Sequence, residues 1–176
     1  MKKIKLSKRQ KDIIETLAYI VLGYLIAVGA NAALGFFMNT DYPVVAVVSG
    51  SMEHDTINSY HTWFVDRKYD EADMNEWSFR NGITKGDIVF VKGTPYEELE
   101  KGDVIVYKLN GGEPIIHRIV RKEEDGLSTK GDNNMNVDQD DNIPPLKSEH
   151  IQGRALVRVP FLGYVKILFL KITGRG

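Results

Sequence analysis

One short segment has residue types suited to a serine nucleophile. Ser49-Gly50-Ser51-Met52 closes a predicted strand, and Gly50 permits a tight turn. A nucleophilic serine needs an exposed hydroxyl on such a turn, with N–H groups nearby to receive an oxyanion. Ser51 is therefore the candidate nucleophile, and the Ser49 hydroxyl could supply a further oxyanion donor. Taken alone, the tripeptide is equally typical of a solvated loop.

A serine hydroxyl also needs a base, and four histidines are available. His117 lies within the apolar run 114–120, where an imidazole is either a satisfied core side chain or faces a cleft. The other three occupy polar or aromatic segments: His54, His61 and His150. The residues alone leave both interpretations of His117 open.

An orienting carboxylate would complete such a set, and the Asp-rich segment 130–141 follows the histidine strand. Two alternatives are turn chemistry and a cation loop. The segment departs from an EF-hand because it lacks the central glycine and the terminal glutamate. The chain also has no cysteine, so neither a metal nor a cofactor is expected.

Residues 16–40 carry no charge, and they follow a basic segment, 1–15, with six cations and two acids. A helix of this length could cross the roughly 30 Å hydrocarbon core of a bilayer. The cations predict that the N-terminus stays cytoplasmic, with everything after residue 40 outside. A cleaved signal peptide and a buried core helix are the alternatives.

The rest of the chain predicts a mainly β, compact antiparallel domain on a single N-terminal transmembrane helix. Residues 16–176 hold 17 cations and 22 acids, a balance that does not suit nucleic acid. Short runs rich in Val and Ile, separated by Gly and Asp, indicate strands at Tyr42–Val48, Ile88–Lys92, Asp103–Lys108, Ile115–Arg121 and Ala155–Val159.

Two segments fit this β pattern poorly. Residues 54–85 are polar and aromatic, and we expect an ordered insertion or lid because a bare loop this long is uncommon. Residues 160–176 are apolar at first but short for a membrane span, which predicts an interfacial segment on the bilayer. A terminal segment packed on the core is the alternative. The catalytic domain is then expected at 41–159.

Taken together, the ordered blocks resemble type I signal peptidases of the archaeal and endoplasmic-reticulum branch. The blocks are V-V-S-G-S-M-E at 47–53, K-G-D-I-V-F-V at 85–91, K-G-D-V-I-V-Y at 101–107, I-I-H-R-I-V at 115–120, K-G-D-N-N at 130–134 and V-P-F-L-G-Y-V at 159–165. Histidine at 117, where the bacterial branch has lysine, points to the branch whose members use Ser-His-Asp. The long insertion at 54–85 departs from the short turn that many members have.

The resemblance implies a role for each site residue. Ser51 is the nucleophile, His117 the general base and Asp138 the acid of the triad, while Asp132 supports the site. Ser49 and the Ser51 N–H are the expected oxyanion donors. Candidate walls of the pockets for small substrate residues are Val47, Val48 and Met52.

The same resemblance implies a membrane-bound serine endopeptidase that cleaves signal peptides from exported preproteins after small residues. Its expected partners are preprotein signal peptides, the lipid bilayer and the protein-export channel. Three rivals stay open: a self-cleaving hydrolase on the same scaffold, a non-enzymatic membrane-tethered module, and a metal-binding domain.

Overall fold

A computed structural model describes residues 7–54, 59–109, 111–139 and 143–172 of the chain. The chain divides into two units between Phe37 and Met38. Helix α1, Lys8–Met38, makes up the described part of the first unit. Ser7 and Gln10 cap its start: the Ser7 N–H donates to Gln10 Oε1 at 2.9 Å, and the Gln10 N–H donates to Ser7 Oγ at 3.3 Å. This capping box explains why the helix begins inside the basic segment, ahead of the uncharged stretch.

Helix α1 is long and apolar enough to cross a membrane, and none of its side chains is buried. Most of the predicted span at 16–40 falls within it. Its insertion into a bilayer, and the side on which the basic segment lies, stay predictions.

The second unit is built on a six-stranded, wholly antiparallel sheet with the strand order β1-β2-β6-β3-β4-β5. The mainly β prediction is confirmed. The strands are β1 Val44–Ala46, β2 Ile88–Lys92, β3 Val104–Tyr107, β4 Ile115–Glu123, β5 Gly126–Lys130 and β6 Ile151–Val159. The helices of this unit are α2 Ser59–Asp66, α3 Glu71–Glu76 and α4 Tyr164–Ile172, and two 3-10 turns lie at Tyr96–Glu98 and Ser148–His150.

The core lies on both faces of the sheet because alternate residues of a strand point to opposite sides. All four residues of β3 are buried. Val104 and Val106 belong to one apolar cluster, together with Met52. Ile105 and Tyr107 belong to a second cluster. Strand β3, the neighbour of the histidine strand β4, is therefore held by apolar packing on both faces of the sheet.

One strand, β5, was not predicted from the sequence. All five of its residues are buried, although Ser128, Thr129 and Lys130 are polar. Polar residues give no apolar run and no alternation with a solvent face, so the pattern that signals a half-buried strand is missing. Strands β4 and β5 form a hairpin in which Glu123 pairs with Gly126.

The insertion contains two short helices that the sequence did not predict. Its helices α2 and α3 have eight and six residues, too few to display a helical period. Phe64 is fully buried, and its ring centroid lies 4.9–5.0 Å from those of four other rings. Those rings belong to Tyr60, Trp63, Tyr69 and Trp77. Residues 59–85 are thus ordered around a small core of their own.

Helix α4 leaves most of its apolar side chains exposed, and Val165 and Ile172 are each 75% exposed. The Gly163 N–H donates to the Gly86 carbonyl at 2.8 Å, which ties the start of the helix to the sheet. Contact of this segment with a bilayer stays a prediction.

Candidate active site

The candidate nucleophile sits on a turn that begins after strand β1. The Glu53 N–H donates to the Gly50 carbonyl at 3.1 Å, which closes the turn around Ser51. The next residue, Met52, is fully buried, and its carbonyl accepts from the Ile83 N–H at 2.8 Å. The half-buried Ser51 hydroxyl therefore projects from a turn that a core side chain holds in place.

Strand β4 brings His117 to this hydroxyl. His117 Nε2 lies 3.0 Å from Ser51 Oγ, and the residue is 8% exposed. The structure thus places the imidazole at the serine turn, although the residues alone favoured a core position over a cleft. An imidazole in hydrogen-bond reach of a serine hydroxyl can accept its proton.

Asp138 completes the series of contacts. Its Oδ2 lies 2.6 Å from His117 Nδ1 and also accepts from the Thr129 hydroxyl at 2.8 Å and the Tyr107 hydroxyl at 3.2 Å. Burial, together with the Asp138 charge, raises the pKa of Tyr107, so that phenol remains a donor. A carboxylate at Nδ1 fixes the tautomer in which Nε2 is free to accept from Ser51.

Asp132 does not contact His117. It is 1% exposed, and its two oxygens accept from Arg118 Nε at 2.9 Å and Arg118 Nη2 at 2.7 Å. Burial disfavours its charged form, but the Arg118 charge outweighs this and lowers the pKa of Asp132. Of the two candidate acids, it is Asp138 that meets the imidazole, and Asp132 forms a separate buried ion pair.

The loop that carries Asp132 also holds the serine turn. The Asn133 N–H donates to the Ser51 carbonyl at 2.8 Å, and Asn133 Nδ2 donates to the Gly50 carbonyl at 3.2 Å. Gly131 lies so close that a Cβ on it would come 2.8 Å from both His117 Nε2 and the Ser51 carbonyl oxygen. Only glycine fits this approach without displacing one of the two.

The two expected oxyanion donors lie beside the hydroxyl. Ser49 is exposed, and its Oγ is 3.1 Å from Ser51 Oγ. Over the described ranges of the chain, no acceptor meets the Ser51 backbone N–H. Both groups are placed where donors to a developing oxyanion could act, and that role stays a prediction.

The expected pocket walls differ in exposure. Val47 is 2% exposed and Met52 is fully buried, so both side chains pack in the core rather than offering free surface. Val48 is 49% exposed. Of the three, Val48 alone presents substantial apolar surface, because the strand alternates its sides.

Several contacts at the site were not foreseen. The role of Thr129 was not predicted because strand β5 was not predicted. Asn133 was missed because a loop rich in Asp and Asn suggests turn chemistry. Arg118, directly after the histidine, is fully buried and also donates to the carbonyls of Ser78 and Gly102. A charged residue inside an apolar strand was the available signal, since such residues are rarely buried unless paired.

Metal ligation can be assessed only in part. No group of three or more His, Cys, Asp or Glu side chains able to hold a metal ion occurs among the residues that the structure describes. Asp140 and Asp141 of the Asp-rich segment lie outside those residues. The expectations of no metal and no cofactor stay predictions.

A hydroxyl, an imidazole and a carboxylate in hydrogen-bonded series, presented by an antiparallel sheet, define the Ser-His-Asp class of site. Residues 72–156 match the family model described as Peptidase S24-like. This match covers most of the sheet and includes the histidine strand.

Comparison with curated proteins identifies relatives within this class of peptidase. The signal peptidase complex catalytic subunit SEC11 of Colletotrichum graminicola is 32% identical over 135 residues, or 72% of this chain and 63% of that protein. The subunit of the same name from Fusarium vanettenii is 31% identical over 144 residues, covering 77% of this chain and 68% of the relative. The subunit from Scheffersomyces stipitis is 31% identical over 147 residues, which cover 77% of this chain and 70% of that protein.

The chain belongs to the SEC11 family of signal peptidase catalytic subunits. It spans less than two thirds of the length of the Colletotrichum relative. The three relatives are fungal, so they support the endoplasmic-reticulum side of the predicted branch and add nothing for the archaeal side.

Proposed function

We propose that the chain is a signal peptidase I, a membrane-bound serine endopeptidase that removes N-terminal signal peptides from exported preproteins. One observation carries the proposal: His117 lies 3.0 Å from the Ser51 hydroxyl through Nε2 and 2.6 Å from Asp138 through Nδ1. Membership of the SEC11 family supplies the substrate class.

The proposed chemistry uses these three side chains in turn. His117 Nε2 takes the proton as Ser51 Oγ attacks the scissile carbonyl carbon, and Asp138 stabilises the imidazolium that forms. The oxyanion meets the Ser51 N–H and the Ser49 hydroxyl. His117 then gives the proton to the leaving amine, and water, activated by the same imidazole, releases the acyl group from Ser51.

An extended signal peptide would bind by adding a strand next to β1. This strand lies at the edge of the sheet, where β2 is its neighbour on one side. Backbone groups on an open edge can pair with a peptide of any sequence, and specificity then comes from pockets for alternate side chains. Val48, exposed beside the serine turn, is the best-placed candidate wall for a small residue.

Membrane attachment follows from helix α1 and the basic residues around its start. We place the N-terminus in the cytoplasm and the catalytic unit outside it, since cations are retained on the cytoplasmic side. The preprotein and the bilayer are then the chain's partners. Because the relatives are named as subunits of a signal peptidase complex, other subunits of such a complex are proposed partners, together with the export channel.

Incubation of the detergent-solubilised chain with one preprotein tests the proposal. We expect a single cut after a small-x-small tripeptide, identified by sequencing the new N-terminus. Ser51→Ala should lower the rate on the order of 10⁴-fold or more, because the members of a triad act as a unit.

Ser148→Ala is the matched control, since it removes an exposed hydroxyl from a 3-10 turn. It should cleave like the parent chain. Cleavage that survives in Ser51→Ala would end the serine-peptidase proposal.

A further inference from the structure

A second histidine, His54, lies three residues after the nucleophile and is held between two oxygen atoms. Its Nε2 is 2.8 Å from Asp132 Oδ2, and its Nδ1 is 2.8 Å from the Arg80 carbonyl oxygen. A backbone carbonyl can only accept a hydrogen bond, and so can an ionised carboxylate. Asp132 is ionised here, since its pKa is lowered by Arg118. Both contacts are hydrogen bonds at the same time only when each ring nitrogen carries a proton, so this geometry suits an imidazolium.

The surroundings of the ring hold it in place and include an aromatic face. The His54 side chain is 13% exposed, and its ring stacks on Tyr60 at a centroid distance of 4.1 Å with 23° between the planes. A cation on an aromatic face is attracted to it. Gly82 also lies against the ring, since a Cβ there would come 3.0 Å from His54 Cδ2.

The residues around the His54 ring come from three segments. Asp132 and its partner Arg118 belong to the loop after β5 and to β4, and Tyr60 and Arg80 belong to the insertion. The Arg118 guanidinium carbon also lies 5.5 Å from the Tyr60 ring centroid. The Asp132 carboxylate thus contacts both the His54 ring and the Arg118 guanidinium, so its position depends on both.

The same loop grips the nucleophile. Asp132 binds His54, and the adjacent Asn133 donates to the Ser51 carbonyl and, through its side chain, to the Gly50 carbonyl. Besides the contact of the Asp132 N–H with Met52 Sδ at 3.4 Å, three links therefore join the serine turn to the loop, at residues 50, 51 and 54. The ring of His54 forms the last of these links and the only one of the three that carries charge.

We propose that His54 is a positioning residue: as an imidazolium bridging Asp132 and the Arg80 carbonyl, it fixes the Ser51 hydroxyl relative to His117. The insertion, through Arg80 and Tyr60, is then part of the scaffold of the active site. The geometric half of this inference, that a protonated His54 bridges Asp132 and the Arg80 carbonyl, does not depend on the reaction. The expected effect of His54 on cleavage rests on the proposed function.

His54→Gln tests the effect on cleavage. Glutamine can still reach Asp132 with an amide but loses the charge and the donor to Arg80. We expect kcat to fall about 10²-fold, because a displacement of about 1 Å can cost that much, with KM unchanged. His61→Gln is the matched control, since His61 lies in the same insertion, is 55% exposed and faces Glu71 at 3.4 Å; it should change neither constant.

Nitrogen NMR of imidazole-labelled protein in micelles at neutral pH supplies a readout that needs no activity. In the parent chain both His54 nitrogens should be protonated, and His54→Gln should shift the His117 Nε2 resonance as its contact with Ser51 changes. A His54 nitrogen without a proton, or a His117 resonance that His54→Gln leaves in place, would overturn the inference. A rise in KM alone would do so too, since it would assign the residue to substrate binding.

The two proposals can fail separately. If no preprotein is cut but the NMR results are as expected, the positioning inference stands and the signal peptidase proposal falls. If the parent chain cleaves and His54→Gln cleaves equally well, the reverse holds. Should His54→Gln fail to fold, the protonation of His54 in the parent chain still decides the geometric half.

Discussion

The molecule contains two histidine–aspartate pairs. They differ in what contacts the ring nitrogen that faces away from the aspartate. His117 has Asp138 at Nδ1 and the Ser51 hydroxyl at Nε2, whereas His54 has Asp132 at Nε2 and a backbone carbonyl at Nδ1. A hydroxyl can donate, so a neutral form of the first ring satisfies both of its contacts, as the proposed base requires. A carbonyl cannot donate, so the second ring suits the cation that we propose.

The aspartates differ in the same sense. Asp138 accepts from neutral donors as well as from the imidazole, and no arginine or lysine contacts it among the residues that the structure describes. Asp132 is locked against Arg118, with both side chains fully buried. This difference agrees with the proposed roles, in which the first pair exchanges a proton and the second holds two segments together.

Of the substitutions that distinguish the two pairs, Asp138→Asn should have the largest effect. An amide at this position can donate to Nδ1 and so reverse the imidazole tautomer, which leaves Nε2 unable to accept the Ser51 proton. We expect a loss of about 10⁴-fold in kcat, with little change in stability. Asp140→Asn, two residues further on, is the control; equal activity of the two variants would remove Asp138 from the triad.

Breaking the second pair should instead cost stability. Arg118→Met leaves a buried carboxylate without its main partner, and we expect the free energy of unfolding to fall by about 3–5 kcal/mol. Urea titration in micelles, followed by the fluorescence of Trp63 and Trp77, measures it. Arg154→Met removes a partly exposed pair with Asp103 and should cost about 1 kcal/mol or less. Similar losses of unfolding free energy in Arg118→Met and Arg154→Met would contradict the structural role assigned to the buried pair.

The smallest effect concerns the cation next to the second pair. Lys130 is fully buried, donates to the carbonyls of Gly131 and Asp132, and has its pKa lowered by burial from 10.5 to about 8. Above that value the folded chain loses a proton that the unfolded chain retains, so stability must rise with pH. We expect a gain of roughly 2 kcal/mol between about pH 7.5 and pH 9.5.

Tyr60 does not interfere in this range, because burial raises its pKa to about 12. Unfolding titrations of the parent chain and Lys130→Met across the range measure the gain, which should disappear in the variant. Lys85→Met, at an exposed position, should retain it. A flat profile in the parent chain would show that Lys130 keeps its ordinary proton affinity.

The sequence predicted those parts of the fold that apolar patterning controls. The Val- and Ile-rich runs gave strands β1 to β4 and β6 to within a few residues at each end. Strand β5 and the two short helices were missed because contacts with distant residues, rather than local pattern, stabilise them. Lys130, for example, is buried against Trp63 of the insertion, with its Nζ 4.6 Å from the ring centroid.

The candidate site divides in a similar way. Ser51 and His117 stood out because their types are unusual in their surroundings, and the family resemblance then favoured Asp138. The contact between His54 and Asp132 joins residues 78 positions apart in the chain. It involves a segment that departs from the family pattern, so neither local chemistry nor resemblance could predict it. The roles of all these residues stay predictions.

The tight fit of Gly131 has a consequence of its own. Its backbone lies where a single methyl group would meet both the base and the serine carbonyl. Such a methyl would displace the imidazole or the serine turn, although it removes neither a charge nor a hydrogen-bonding side chain. Gly131→Ala is thus a steric way to disrupt the contact between Ser51 and His117 without altering either side chain.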